Sequence, residues 1–115
     1  RKFLYDQATQ ALVAEGTQFV GRSIFHQGLL LNPELSSDLG ATKIFVDFCS
    51  ENNLSYLQGA LSVYDSQNVF TSLTVGIASP NQLQEILNEG RIVKNLEVYP
   101  AINSVSLDFT DPRRW

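Results

Sequence analysis

Residues 70–90 read FTSLTVGIASPNQLQEILNEG. Phe70 to Ile77 is dense in β-forming side chains and predicts a buried strand. Ser79-Pro80-Asn81-Gln82 then has the form of a helix start. Serine stands at the cap, proline at the first helical position, and Gln82 where a capping box needs it. Leu83, Ile86 and Leu87 predict the buried stripe of that helix, and Gly90 its stop. A strand that passes through a short loop into a capped helix is one half of a βαβ unit.

The other half lies upstream. Leu4 to Glu15 predicts a helix, because Leu4, Ala8, Ala11, Leu12 and Glu15 recur at intervals of three and four, and Gly16 stops it. Phe19 to Ile24 is a second β-rich run, followed by a loop through His26, Gln27 and Gly28. Leu29 to Leu31 follow, and Asn32-Pro33 breaks the chain. Ala41 to Asn53 predicts a helix whose apolar face is Ile44, Phe45, Phe48 and Cys49, with Lys43, Asp47 and Glu51 turned away. Ser55 caps a further helix, Tyr56 to Tyr64, with a stripe of Leu57, Ala60, Leu61 and Tyr64. Beyond Gly90 the apolar residues (Val98, Pro100, Ile102, Val105, Leu107, Phe109) lose periodicity and predict a tail laid across the surface.

The order is helix, strand, helix pair, strand, helix, tail. Strands alternating with helices predict an α/β fold with parallel pairing and right-handed crossovers. Two strands are few for such a fold, since parallel strands are normally covered and paired on both sides.

Of the 115 residues, 43% are hydrophobic and 17% charged. That balance suits a globular chain and excludes the low-hydropathy, high-charge composition of a disordered one. The net charge of -4, from 12 acids and 8 bases, lacks the basic excess of a nucleic-acid binder. No run of about 18 apolar residues occurs, so no membrane span is expected. No charged, apolar, small-residue leader opens the chain, which points to a cytoplasmic location. The chain contains no methionine and begins Arg1-Lys2, which fits a portion of a longer protein.

Few residues invite chemistry. His26 is the single histidine, in the loop after the first strand, and without a sequence partner it reads as structural. Cys49 sits on an apolar helix face and reads as a buried thiol. One histidine and one cysteine make no metal cluster. Asp108 and Asp111 fit turn caps in the tail. Two segments stand out. Arg22 to Leu31, RSIFHQGLLL, puts Arg22 and Ser23 at the carboxyl end of a strand, where parallel α/β folds bind ligands, and Arg22 suits a carboxylate or phosphate. Val75 to Leu87 places the free amides of a helix start after the other strand, which reads as an anion site or, more commonly for that spacing, as an ordinary capped helix. Both lie on the same side of any parallel sheet, which predicts one shared phosphate-bearing ligand.

These two segments, in this order, resemble the last two strand–helix units of the aldo/keto reductase family. Ser23, Gly28, Leu29 and Leu30 match the loop after that family's next-to-last strand. Gly76, Ser79, Pro80, Gln82, Leu83, Glu85 and Leu87 match its last strand–helix loop, and the closing DPRRW, Asp111 to Trp115, resembles the ending of some members. The resemblance covers nearly all of the chain. It implies the C-terminal portion of a (β/α)8 TIM barrel across 1–115, not a complete domain, since such a barrel takes about 250 residues. It implies a parent that reduces an aldehyde, ketone or sugar carbonyl with NADP or NAD. By position, Arg22, Ser23, Phe25 and Gly28 would touch the nicotinamide and pyrophosphate, Gly76 and Ile77 the adenosine phosphate end, and Gln82 and Glu85 the adenine ribose and base.

The sequence also departs from the family. Arg22 replaces a common aromatic, Gly76 and Gln82 stand where NADPH-selective members carry a base, and Ile86 replaces the usual asparagine. The family's catalytic aspartate, tyrosine, lysine and histidine come from its first four strands, so none is expected here, and His26 follows the wrong strand to match. The chain alone is therefore expected to be inactive, and to self-associate or pair with the rest of the barrel. The alternative is a non-catalytic small α/β binding or assembly module.

Overall fold

The structure is a computed structural model and describes residues 7–35, 39–65 and 69–93. Leu4, the segment after Val93 with Asp108 and Asp111, and the closing DPRRW lie outside the described residues. In chain order come helix α1 (Gln7–Ala14), strand β1 (Phe19–Gly21), two 3-10 turns (His26–Gly28 and Pro33–Leu35), helices α2 (Leu39–Glu51) and α3 (Tyr56–Asp65), strand β2 (Phe70–Leu73) and helix α4 (Pro80–Val93).

The punctuation of the sequence becomes hydrogen bonds. Gly16 ends α1 with φ +85°. The Thr17 amide donates to Leu12 O and the Gly16 amide to Val13 O, the paired bonds of a Schellman stop. Asn53 (φ +53°) ends α2 the same way, with the Leu54 amide on Cys49 O and its own amide on Ser50 O. Ser55 opens α3 by a reciprocal box: the Gln58 amide donates to Ser55 Oγ and the Ser55 amide to Gln58 Oε1. The free end of Gln58 then donates from Nε2 to Glu89 Oε2 at 2.6 Å and ties α3 to α4.

β1 and β2 pair in parallel, as the alternation of elements predicts. The register matches Phe19 with Phe70, Val20 with Ser72 and Gly21 with Leu73. Thr71 is the extra residue of the resulting irregularity, and its hydroxyl donates to Phe19 O. Both strands are shorter than the β-rich runs suggest. β1 stops at Gly21 because Ser23 turns into the left-handed region, with φ +57°. β2 then lacks a partner beyond Leu73, apart from the Thr74 amide on Gly21 O. The strands are also less buried than expected: Val20 is 56% exposed, and Thr71 and Ser72 face solvent. Among the described residues each strand has one neighbour, so a two-stranded sheet leaves both edges open.

Two apolar clusters form the core. Phe45, Phe48 and Cys49 of α2 pack on Ala60 of α3, with Leu54 and Tyr56 at the margin. Ile24, Leu61 and Val93 form the second, joined by Leu57, Tyr64, Leu73 and Ile86. Phe25 touches both. Ile44 lies at the edge of the α2 face rather than within it. Lys43 and Asp47 pair on the outer face of α2 at 2.6 Å, an exposed i,i+4 pair of small energetic value.

Three expectations about helices need correction. α4 does not stop at Gly90. It runs on to Val93, which is 2% exposed between Ile24 and Leu61, so burial outweighs the weak helix preference of one glycine. Leu83 (40% exposed) and Leu87 (49% exposed) are not buried with Ile86. The contacts of α4 with α3 run instead through Ile86, Glu89 and Val93. In α1 the buried residue is Thr9, whereas Ala8, Ala11 and Leu12 face solvent.

Candidate functional site

The two segments singled out in the sequence meet at one groove. It holds about 690 Å³ and opens at the carboxyl ends of β1 and β2. From the β1 side come Val20, Arg22, Ser23, Ile24, Phe25, Gln27, Gly28 and Leu31; from the β2 side come Thr74, Val75 and Gly76. Parallel pairing is what brings them together, because it places both carboxyl ends on the same edge of the sheet.

The loop after β1 is held in an uncommon backbone. Ser23, His26 and Gln27 all have positive φ (57°, 46° and 57°), followed by Gly28 at 88°. For residues with a side chain the left-handed region costs roughly 1–2 kcal/mol each. Such conformations persist where the surroundings over-determine them, often beside ligands. Here a succession of tight bonds does so. The His26 amide donates to Ser23 O, Gly28 to Phe25 O, Leu29 to His26 O and Leu30 to Phe25 O, all between 2.9 and 3.2 Å. Ile24, 1% exposed, pins the loop to Leu61 and Val93.

Arg22 is exposed and, among the described residues, is the one charged side chain lining the groove. Among the described residues it makes no ion pair. Ser23 and Thr74 add hydroxyls and Gln27 an amide; Val20, Ile24, Phe25, Leu31 and Val75 supply apolar wall. Among the described residues nothing stands where a side chain on Gly28 or Gly76 would be, so a ligand can approach the backbone at both. A mostly apolar groove with a few polar groups is the usual constitution of a small-molecule site.

Of the residues expected from the sequence, Arg22, Ser23, Phe25, Gly28 and Gly76 share this lining. Ile77, Gln82 and Glu85 do not. Ile77 follows Gly76 outward and is exposed. Glu85 faces solvent on α4. Gln82 is used by its own helix: its Oε1 accepts from the Ala78 amide at 2.7 Å, and its amide donates to Ser79 Oγ at 3.3 Å. The Ser79 cap therefore forms as expected, while Gln82 takes the Ala78 amide in place of the Ser79 amide of a capping box, and the two bonds take up two of the amides that an anion would need. Val20 and Thr74 join the lining from outside the two segments singled out, and no residue type at Gln27 signals its left-handed backbone. Among the described residues no group of His, Cys, Asp and Glu could hold a metal ion, and no helix is long and apolar enough to cross a membrane.

Burial raises the Cys49 thiol to about 11, so it stays protonated and unreactive at neutral pH. Burial also lowers the pKa of His26 below its ordinary 6.5. The unfolded chain then binds a proton that the folded chain resists, so stability falls as pH drops through about 6.5 toward the lowered value. The melting temperature of the wild type should drop between pH 7.5 and 5.0 by more than that of His26→Asn, where asparagine tolerates the same left-handed backbone. Equal drops would show that His26 does not contribute.

No family model, curated protein or solved structure matches this chain.

Proposed function

We propose that this chain is the cofactor-side, C-terminal portion of an NAD(P)-dependent aldo/keto reductase-like oxidoreductase. The observation that carries this reading is the meeting of the Arg22–Gly28 loop and Thr74–Gly76 at one groove. The residues present suit a dinucleotide. Arg22 offers a planar guanidinium for a pyrophosphate or for stacking on a ring. Ser23, Gln27 and Thr74 offer polar contacts, Phe25 and Val75 apolar wall, and Gly28 and Gly76 an open approach to the backbone. When bound, such a cofactor supplies hydride to a carbonyl carbon. The proton for the carbonyl oxygen needs a donor, and the family pattern draws it from earlier strands, so the 115-residue chain is expected to show no turnover by itself. Open sheet edges and exposed Val20, Leu83 and Leu87 support a chain that packs against further structure.

The test is a fluorescence titration of NADH into the purified chain. Saturable binding is expected, weakened roughly 10- to 100-fold by Arg22→Gln, the range of one charge-assisted contact. Absence of saturable binding up to millimolar NADH would contradict the proposal. It would leave the alternative, a non-catalytic binding or assembly module.

A further inference from the structure

We infer that Gln27 is a specificity-determining residue of the groove: its carboxamide, carried there on left-handed backbone, takes a planar ring whose edge holds a hydrogen-bond donor beside an acceptor. The inference rests on the dinucleotide reading above and adds to it the residue that recognises a ring.

His26, Gln27 and Gly28 follow one another with φ of 46°, 57° and 88°. Glycine takes such backbone freely, and Gly28 does so. Gln27, at φ 57° and ψ 33°, lies well inside the left-handed region, where a long side chain is uncommon. The conformation of His26 is tied into the loop, since its amide donates to Ser23 O and its carbonyl accepts from the Leu29 amide. The Gln27 side chain has no such ties. It is exposed, joins neither apolar cluster, and among the described residues has no hydrogen-bond partner. Nothing it does within the described chain offsets the cost of its backbone, yet Gln27 lines the groove and His26 does not. Strain of this kind collects where a side chain meets a ligand.

The chemistry of the side chain narrows what it meets. A glutamine amide sets N–H donors beside a C=O acceptor. A phosphate has acceptors alone and would oppose that carbonyl, so the phosphates fall to the Arg22 guanidinium. Phe25 and Leu31, from the same loop, line the groove with Gln27 and suit the flat face of a ring. Both rings of the dinucleotide carry a matching edge. Adenine sets its amino group beside a ring-nitrogen acceptor, a pattern that glutamine amides read bidentately, and nicotinamide carries a carboxamide of its own.

Two variants of the full 115-residue chain separate the amide from the strain. Gln27→Gly removes both, whereas Gln27→Met keeps the length and the strain and removes only the amide. NADH affinity is expected to fall about 3- to 10-fold in each, the range of one hydrogen bond. In thermal unfolding Gln27→Gly is expected to melt roughly 2–6 °C above the wild type, and Gln27→Met within about 3 °C of it. AMP and reduced nicotinamide mononucleotide, each with one phosphate for Arg22, tell the two rings apart. The Gln27→Met loss falls on AMP where the adenine edge is read, and on the nicotinamide mononucleotide where the carboxamide is. Unchanged NADH affinity in Gln27→Met, an equal loss on both mononucleotides, or a Gln27→Gly chain that melts below the wild type overturns the inference and leaves the dinucleotide reading standing. No saturable binding of NADH by the wild type overturns both.

Discussion

Gly59→Val is expected to lower the midpoint of thermal unfolding, followed by circular dichroism, by roughly 5–20 °C. Gly59 lies on the face of α3 that meets α2. A Cβ built there would land on Cys49 Sγ and come within 3.3 Å of the Phe45 ring. The two helices approach so closely because one of them has no side chain at the crossing. Overpacking a filled core costs about 1–3 kcal/mol or more, and here it strikes the cluster of Phe45, Phe48, Cys49 and Ala60. The helix preference of a residue other than glycine returns no more than about 1 kcal/mol. Against a usual total of about 5–15 kcal/mol, the loss is a large fraction of the stability. Gly59→Ala is expected to destabilise less, and Cys49→Ala in the same chain to recover part of that loss, because removing Sγ clears the nearest clash. A Gly59→Val chain that melts like wild type would show that α2 and α3 are not packed in this way.

Ile24→Ala is the second large effect, and it joins stability to the site. Ile24 is fully buried against Leu61 and Val93 while its residue also lines the groove. Truncating a buried isoleucine costs about 2–5 kcal/mol. Its loss also removes one of the apolar anchors, beside Phe25, of the loop that carries Ser23, His26 and Gln27 in left-handed backbone. Both the denaturation midpoint and the NADH affinity should fall. Val20→Ala, also at the groove but on an exposed side chain, is expected to stay within about 0.5 kcal/mol in stability. Equal stability losses for the two would contradict the core described here.

Local punctuation was legible in the sequence because it acts within a few residues. Gly16, Asn53, Ser55 and Ser79 each cap or stop a helix through bonds to neighbours in the chain. The parallel pairing and the meeting of the strand ends followed from the order of elements. What was not legible depends on distant partners. β2 ends at Leu73 because β1 ends at Gly21, and Gly90 sits inside a helix because Val93 finds Ile24 and Leu61. Periodicity drew a stripe through Leu83 and Leu87, but which side of a stripe is covered depends on how α4 leans on α3. Gln82 was expected at a ligand and is instead bonded to the Ala78 amide, since a cap and a ligand compete for the same side chain. Gly59 drew no attention as one glycine in a helix, and only the crossing with α2 gives it weight.

The proposed dinucleotide site lies at the carboxyl ends of β1 and β2. Amide chemical-shift mapping of the labelled chain during an NADH titration tests it most directly. Saturable shifts concentrated on Arg22 to Gly28 and Thr74 to Gly76, with α2 unmoved, are the predicted result. Shifts confined to α2, or none at a concentration that saturates, would contradict it.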